Sequence, residues 1–347
     1  MRYGVGYLGS KNAIAEQILE ILPAGRRLVD IFAGGCAITH CGIVSGKYQR
    51  FLMMDISDNP LLFLYAIQGR YKEEKRWISR EDFYRLKDTD LYVRNAFSFG
   101  NNGRAYLYAR DLEPYKRACH FAVCFDDWEE YDRLCPETAQ AAKDAVAGIS
   151  DLHERRIRMQ AAVFHWLKEN GTPEIIAGNR LYRTCKGFKR NTIEGVQMSN
   201  NLECLERLDG LNDIKLIANR SRLDNLNAIE AKSDRIEFQQ KSYNEYVYEE
   251  GDVVYCDPPY ITKNCDESEY GAEGRYDKDK FCEWVKSRPF PVFISEYSMP
   301  DDFHCIKRFM KQNKLSSKGC PTKFDEGLFI HEKWKDVASY SIQLELF

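Results

Sequence analysis

The tetrapeptide Asp257-Pro258-Pro259-Tyr260 places an acid, two rigid residues and an aromatic ring directly after an apolar run at 253–256. The β-branched run predicts a buried strand, and neither proline can extend a sheet, so Asp257 is expected at the carboxyl end of that strand. Open α/β sheets bind ligands at this edge. The Asp257 carboxylate, the Pro258 carbonyl and the face of Tyr260 together suit the exocyclic amino group of a planar base. Taken alone, the tetrapeptide also fits an ordinary turn.

A second apolar run at 28–32 is followed by Ala33-Gly34-Gly35-Cys36-Ala37, and a helix is predicted from about Ala37 to Val44. Small residues at 33–37 allow a tight turn and close approach of a ligand to the main chain. A third run at 51–54 ends at Asp55, where dinucleotide-type folds hold ribose hydroxyls. Because the spacing does not match Gly-x-Gly-x-x-Gly, the pattern favours a nucleoside without phosphates and excludes a dinucleotide-dependent dehydrogenase.

The segment Tyr7-Leu8-Gly9-Ser10-Lys11 precedes a predicted helix whose apolar residues recur at helical spacing: Ile14, Ile18, Leu19 and Leu22. Two interpretations of the segment stay open. Ser10 fits the N-cap of the helix. Alternatively, the segment places Lys11 beside a carboxylate of the cofactor.

Together these segments resemble the Dam-like (class alpha, D12 type) family of DNA adenine-N6 methyltransferases. The family order is Trp/Tyr-x-Gly-Gly-Lys, Phe-x-Gly-x-Gly, an acid after the next strand, a target-recognition insert and Asp-Pro-Pro-Tyr. Here it corresponds to 7–11, 32–36, Asp55, a long insert and 257–260. Ser10 and Cys36 replace glycines of the family pattern, but both are small enough for close approach of the cofactor. The segments 242–246 with 251–252, 293–296 and 328–331 also resemble the approach to the motif, the following strand and the closing hairpin of the family.

The resemblance implies an α/β, Rossmann-like fold that uses S-adenosylmethionine. It implies a catalytic domain at 1–75 and 235–347, split at 76–234 by an inserted, mainly helical DNA-recognition region. The implied reaction moves a methyl group to the N6 amino group of an adenine flipped out of double-stranded DNA. The implied catalytic residues are Asp257, Pro258, Pro259 and Tyr260. The implied cofactor contacts are Tyr7, Lys11, Asp30, Phe32, Gly34, Asp55 and Asp257.

Two basic segments of the insert are expected to contact DNA. The run at 180–190 contains five cations and no acid, interleaved with aromatic residues, a composition suited to phosphate contact: Arg180, Arg183, Lys186, Lys189 and Arg190. A polar loop carries Arg94, Asn95 and Arg104; Asn can contact adenine bidentately, although Asn-Gly at 102–103 is equally an ordinary turn. On a helix predicted at 151–170, the three arginines at 155, 156 and 158 are expected to form a solvated face.

Composition restricts the remaining possibilities. The 347 residues carry a net charge of −3, so contact with nucleic acid requires a local basic patch. The twelve cysteines include no CxxC pair, which favours reduced thiols over zinc or disulfides, and no metal is expected. With neither a leader nor a membrane segment apparent, we expect a protein of the bacterial or phage-infected host cytoplasm. A cognate restriction endonuclease is a conceivable partner but is not physically required.

Three alternative functions stay open at this stage. Cytosine-N4 methyltransferases share the fold but more often carry Ser at the position of Asp257. RNA or protein-glutamine methyltransferases more often carry Asn-Pro-Pro. A catalytically silent DNA-binding homologue is disfavoured because both Asp55 and Asp257 are present.

Overall fold

The computed structural model describes residues 3–6, 9–71, 74–101, 103–170, 234–259, 276–312 and 323–337. These residues belong to two compact units. The first contains the described residues up to 70 and from 234 onwards, and the second contains those from 71 to 170.

The first unit is built on a mostly parallel sheet with the described strands in the order β3-β2-β1-β4-β5-β7-β6. The strands are β1 (Arg27–Ile31), β2 (Arg50–Asp55), β3 (Ile236–Gln240), β4 (Asp252–Cys256), β5 (Val292–Glu296), β6 (Phe303–Gln312) and β7 (Lys323–His331). Strands β1 to β5 pair in parallel, whereas β7 runs antiparallel to both β5 and β6. The strands that the apolar runs predicted are therefore confirmed.

The helices of the described residues are α1 (Ala15–Ile21), α2 (Ala37–Ser45), α3 (Asn59–Ile67), α4 (Arg80–Leu86), α5 (Leu91–Ala96), α6 (Glu113–Phe125), α7 (Glu129–Leu134), α8 (Pro136–Val146), α9 (Leu152–Asn170) and α10 (Lys278–Ser287). Helices α1, α2, α3 and α10 belong to the first unit, and the others to the second. None of them combines the length and apolar character needed to cross a membrane. No disulfide joins the cysteines of the described ranges.

The centre of the sheet is buried on both faces. Every residue of β1, β4 and β5 is buried, which explains why these strands appear in the sequence as continuous apolar runs and not as alternating patterns. Helix α10 contributes an amphipathic face to this core through Phe281, Trp284 and Val285. It begins at Asp277, whose carboxylate accepts a hydrogen bond from the Lys280 N–H at 3.1 Å, as an N-cap does.

Strand order reverses at the centre of this sheet. Strands β2 and β3 lie on one side of β1, and β4 leads to β5 on the other side. Ile31 is in register with both Met54 of β2 and Cys256 of β4. The segments that follow these three positions therefore meet at one edge, which is the topological switch point where open α/β sheets bind ligands.

The second unit corrects one expectation about charge. Arg155 and Arg156 on α9 are buried, not solvated, whereas the Arg158 side chain is exposed. The Arg155 guanidinium donates to the carbonyls of Ala122 and Val123, both at 2.9 Å, and pairs with Asp126 at 2.6 Å. The last carbonyls of a helix lack intrahelical partners and carry partial negative charge, so Arg155 satisfies the C-terminus of α6.

Candidate active site

The turn after β1 has a left-handed backbone conformation that residues other than glycine normally avoid. Phe32, Gly34 and Cys36 all have positive φ angles, of 63°, 48° and 59°. For a bulky residue such as Phe32 this is a strained conformation, and such strain is concentrated at ligand sites. The Ala33 N–H donates to the Met54 carbonyl at 3.0 Å, so the turn stays attached to the end of β2.

A second segment fixes this turn from the amino-terminal side. The Val5 N–H donates to the Gly35 carbonyl, and the Gly4 N–H donates to Nδ1 of His40, both at 2.8 Å. Gly4 has a φ of 66°, and a Cβ there would lie 2.2 Å from the Gly35 oxygen. Burial lowers the pKa of His40 to about 4, so its ring is neutral and accepts the hydrogen bond. Gly4 and His40 belong to no motif of the sequence, because their role depends on contact with the backbone and not on a recognisable side-chain pattern.

Asp55 connects the end of β2 to the same turn. One carboxylate oxygen accepts a hydrogen bond from the Gly34 N–H at 3.0 Å. The other accepts from the Ser57 N–H and hydroxyl, both at 2.8 Å. Burial raises the pKa of Asp55, although these hydrogen bonds oppose the effect. Asp55 as a residue is nevertheless partly exposed, so it can also meet a ligand at this edge.

Asp30 lies beneath the turn and is almost fully buried on β1. Its carboxylate accepts hydrogen bonds from the Thr39 N–H at 3.1 Å and from the Thr39 hydroxyl at 2.7 Å. Thr39 lies in the first turn of α2, so Asp30 satisfies an N–H that the helix leaves without an intrahelical partner. Burial raises the pKa of Asp30 to about 7. The structure gives Asp30 this role in supporting the turn, and its predicted contact with the cofactor stays a prediction.

Asp257 directly follows β4, at the carboxyl end of that strand, as the sequence predicted. Its N–H donates to the Ile31 carbonyl at 3.1 Å, which holds it against the end of β1. Its side chain is 18% exposed. Pro258 is buried, and Pro259 is half-buried. The sheet therefore fixes the backbone of Asp257, while its carboxylate is partly exposed at the carboxyl edge of the sheet.

Lys11 brings two acids together. Its Nζ lies 2.5 Å from Oδ2 of Asp257 and 3.5 Å from Oε1 of Glu326 on β7, and it also donates to the Gly9 carbonyl at 3.2 Å. Burial by itself lowers the pKa of Lys11, but the charges of the two acids outweigh burial and raise it. We call Lys11, Asp257 and Glu326 the lysine cluster. Glu326 was absent from the predicted site because it lies just before the 328–331 segment and not within it, and its contact with Lys11 depends on where β7 lies in the sheet.

The 7–11 segment lies before α1 and does not cap it. The prediction of Ser10 as an N-cap is wrong, because α1 begins only at Ala15 and its N-cap position is Ile14. The Ser10 hydroxyl instead accepts a hydrogen bond from the Asn12 N–H at 3.4 Å, in the preceding turn. Lys11 contacts protein carboxylates, and its proposed contact with a cofactor carboxylate stays a prediction.

Aromatic rings line the site beside Phe32. Its ring centroid lies 5.6 Å from that of Tyr243 and 5.8 Å from those of Tyr276 and Phe281. The Tyr276 hydroxyl is buried, and none of the residues that the structure describes forms a hydrogen bond with it. Because leaving a buried hydroxyl without a partner is costly, this atom is a candidate for contact with a polar ligand.

The remaining predicted residues are distributed as follows. Tyr7, Tyr260 and the five cations of the 180–190 run lie outside the described residues. Arg94, Asn95 and Arg104 belong to the second unit. There the chain forms a hairpin-like loop, in which Ser98 pairs with Tyr106. Arg104 is exposed on this loop, and the stem of Arg94 packs against Gly103. Within the described ranges, no group of His, Cys, Asp and Glu side chains is arranged to hold a metal ion.

Comparison with known proteins assigns this fold and site to a class. The model of the D12 class N6 adenine-specific DNA methyltransferase family matches residues 7–128 and 211–306. The chain belongs to that family, and its sheet has the Rossmann-like methyltransferase fold that the family implies. It is also similar to a DNA N-6-adenine-methyltransferase of Escherichia phage P1, with 31% identity over 94 residues. That match covers 26% of this chain and 12% of the length of the phage protein.

Proposed function

We propose that the chain is a site-specific DNA methyltransferase that uses S-adenosylmethionine to methylate the N6 amino group of adenine. The observation that carries the proposal is the position of Asp257. Its carboxylate is partly exposed at the switch point of a methyltransferase sheet, next to the strained turn at Phe32. Membership of the D12 family supports adenine over cytosine as the target.

The residues at the switch point fit a cationic nucleoside. Phe32, Gly34 and Asp55 would hold the adenosine part together with Tyr7, and the Tyr276 hydroxyl offers a polar contact beside Phe32. Carboxylates outnumber cations at this edge in the described residues, since Lys11 faces two acids. When bound, S-adenosylmethionine supplies a methyl group made electrophilic by the positive sulfonium, and this charge suits an acidic edge.

Asp257 would act mainly by orienting the target base. The exocyclic nitrogen of adenine is a weak nucleophile because its lone pair is delocalised into the ring. Hydrogen bonds donated by that amino group to the Asp257 carboxylate and the Pro258 carbonyl favour a pyramidal nitrogen with an aligned lone pair. The reaction then depends on alignment more than on acid or base strength, and the proton leaves after methyl transfer. Tyr260 would stack on the flipped base.

Double-stranded DNA is the proposed partner. The basic run at 180–190 would contact phosphates, and the 94–104 segment of the second unit would lie near the bases. In this proposal, residues 76–234 recognise the target, and the parts at 1–75 and 235–347 form the catalytic domain. A cognate restriction endonuclease is a further proposed partner, and the proposed location is the cytoplasm of a bacterium or of a phage-infected host.

Identification of the modified base tests the proposal. The purified protein is incubated with S-adenosylmethionine and genomic DNA from a methylation-deficient bacterial strain, with Asp257→Ala as the matched control. We expect N6-methyladenine in the hydrolysed nucleosides, and single-molecule sequencing should place it at one recognition site. N4-methylcytosine would reject adenine as the target. If the protein is folded and binds DNA but the DNA contains no methylated base, the result would support a catalytically silent DNA-binding homologue.

A further inference from the structure

The lysine cluster presents a difficulty for the proposed reaction. In the structure, Oδ2 of Asp257 accepts a hydrogen bond from the Lys11 ammonium at 2.5 Å. The proposed function requires the same carboxylate to accept a hydrogen bond from the amino group of adenine. A charged donor at this distance competes strongly with a neutral N–H, because charge-assisted hydrogen bonds are about twice as strong as neutral ones. Because the ammonium withdraws negative charge from the carboxylate, Asp257 accepts more strongly from the base once Lys11 has moved to another acid.

Lys11 cannot simply turn towards water when Asp257 moves away. Its side chain is only 2% exposed, and an unpaired buried ammonium is costly. Glu326 is fully buried and its Oε1 lies 3.5 Å from Nζ of Lys11, so a small movement brings the two into hydrogen-bond contact. The cluster thus contains one cation between two acids, and the contact that is shorter in the structure is the one to Asp257.

The topology explains why a residue of β7 reaches this edge. Since β7 runs antiparallel to β5, its first residues lie next to the carboxyl end of β5, and Gly327 is in register with Glu296. Glu326 precedes Gly327 and is therefore placed at the same edge as Asp257. Glu296 and Tyr297 also lie within electrostatic range of Lys11, and Glu296 pairs with Lys278 at 3.3 Å. Glu326 is the acid besides Asp257 that forms an ion pair with Lys11 among the described residues.

We propose that Glu326 is a positioning residue that receives Lys11 when the Asp257 carboxylate turns to the amino group of the target base. The transfer leaves the net charge of the lysine cluster unchanged. It moves the excess negative charge from Glu326 to Asp257, where the amino group donates. This inference rests on the proposed adenine methylation and adds a second acid to the site.

The first test measures Lys11 directly and needs neither cofactor nor DNA. The side-chain nitrogen resonances of isotope-labelled lysine are followed by NMR as pH rises, and Lys11→Gln assigns the resonance. Glu326→Gln should lower the pKa of Lys11 by about 1–3 pH units, the effect expected for one close acid. Asp252→Asn is the matched control, because it removes a buried acid that pairs with Arg27 at the opposite end of β4. An unchanged Lys11 pKa in Glu326→Gln would show that the two residues are not coupled.

The second test measures methyl transfer in a single turnover with genomic DNA from a methylation-deficient strain. Glu326→Gln should slow the reaction by about tenfold, a coupling typical of residues in contact, while cofactor affinity is unchanged. Glu326→Asp retains the charge, should restore part of the rate, and serves if the Gln variant does not fold. In a Lys11→Gln background, Glu326→Gln should add no further loss, because Glu326 acts through Lys11.

The outcomes separate this inference from the proposed function. Full activity in folded Glu326→Gln, or an additive loss in the Lys11→Gln background, would overturn the positioning role while methylation stands. A wild-type protein that forms no N6-methyladenine would overturn the proposed function, and the positioning role would fail with it. The NMR result would then report only an ion-pair coupling within the fold.

Discussion

The carboxylate of Asp55 accepts a hydrogen bond from the backbone N–H of Gly34 at 3.0 Å, which ties the end of β2 to the turn after β1. The side chain expected to meet the cofactor thus also shapes the main chain expected to approach it. Loss of Asp55 should therefore affect binding through two routes, one direct and one through the turn.

For this reason Asp55→Ala should weaken binding of S-adenosylmethionine by about 1–3 kcal/mol, the scale of a lost charge-assisted hydrogen bond. Isothermal titration calorimetry measures the change. Asp58→Ala is a matched control, because Asp58 is a nearby acid at the N-cap position of α3 that is not predicted to contact the cofactor. Equal affinities of a folded Asp55→Ala variant and the wild type would remove Asp55 from the binding site.

Removal of the orienting carboxylate should stop turnover without unfolding the protein. Asp257→Ala is expected to reduce the methylation rate by about 10²- to 10³-fold or more, as when one preorganised polar group is lost from an active site. The fold should persist because the side chain is partly exposed and Lys11 retains Glu326 as a partner. Methylation rates and thermal unfolding are measured in parallel; substantial activity in the variant would contradict the orienting role.

Tyr260 is predicted to contribute a ring and not a hydroxyl. Tyr260→Ala should weaken capture of the flipped base by about 1–3 kcal/mol, the usual range for stacking of a base on an aromatic side chain. Tyr260→Phe and Tyr260→Trp should retain much of the activity, and steady-state kinetics with saturating cofactor compares the three variants. An inactive Tyr260→Phe enzyme would show that the hydroxyl is needed and that stacking is not the main role.

The basic run at 180–190 is predicted to bind the DNA backbone without sequence preference. Each of the changes Arg183→Ala and Lys189→Ala should weaken binding to all DNA sequences by about the same factor. Each should also reduce the slope of log affinity against log salt by about one. Cofactor affinity serves as the internal control and should not change. Unaltered salt slopes would show that the run is only a solvated surface. A change in the methylated sequence would show that the run contacts bases.

The buried Asp30 should make folding stability depend on pH. Its pKa of about 7 in the folded chain lies above the value of about 3.9 in unfolded chains, so the folded state holds the proton more tightly. Protonated Asp30 therefore contributes its full stabilisation of the folded state below about pH 4, and this contribution is lost as the pH rises through about 7. Urea unfolding should show this decrease in the wild type relative to Asp30→Asn, which keeps an acceptor for Thr39. If the free energy of unfolding has the same pH dependence in both proteins, the raised pKa of Asp30 would be refuted.

Much of the first unit could be predicted because the central strands of its sheet are buried on both faces. A strand without a solvent side appears as an uninterrupted apolar run, and the polar residue after it is then placed at the edge of the sheet. Asp55 and Asp257 were located in this way. Arg155 was wrongly assigned to a solvated face because helical periodicity does not show which carbonyls another helix presents. Glu326 was missed because its contact with Lys11 depends on the position of β7 between β5 and β6.

The position of β7 also determines when the site can form during synthesis. Lys11 lies before the first strand of the sheet, and Glu326 lies on the last described strand. A ribosome must therefore release the chain through β7 before the three charged groups can meet. A nascent chain that ends before β7 contains the turn around Phe32 and the pair of Lys11 with Asp257, but not Glu326. Translation thus delays assembly of the complete lysine cluster until the chain has been made through β7.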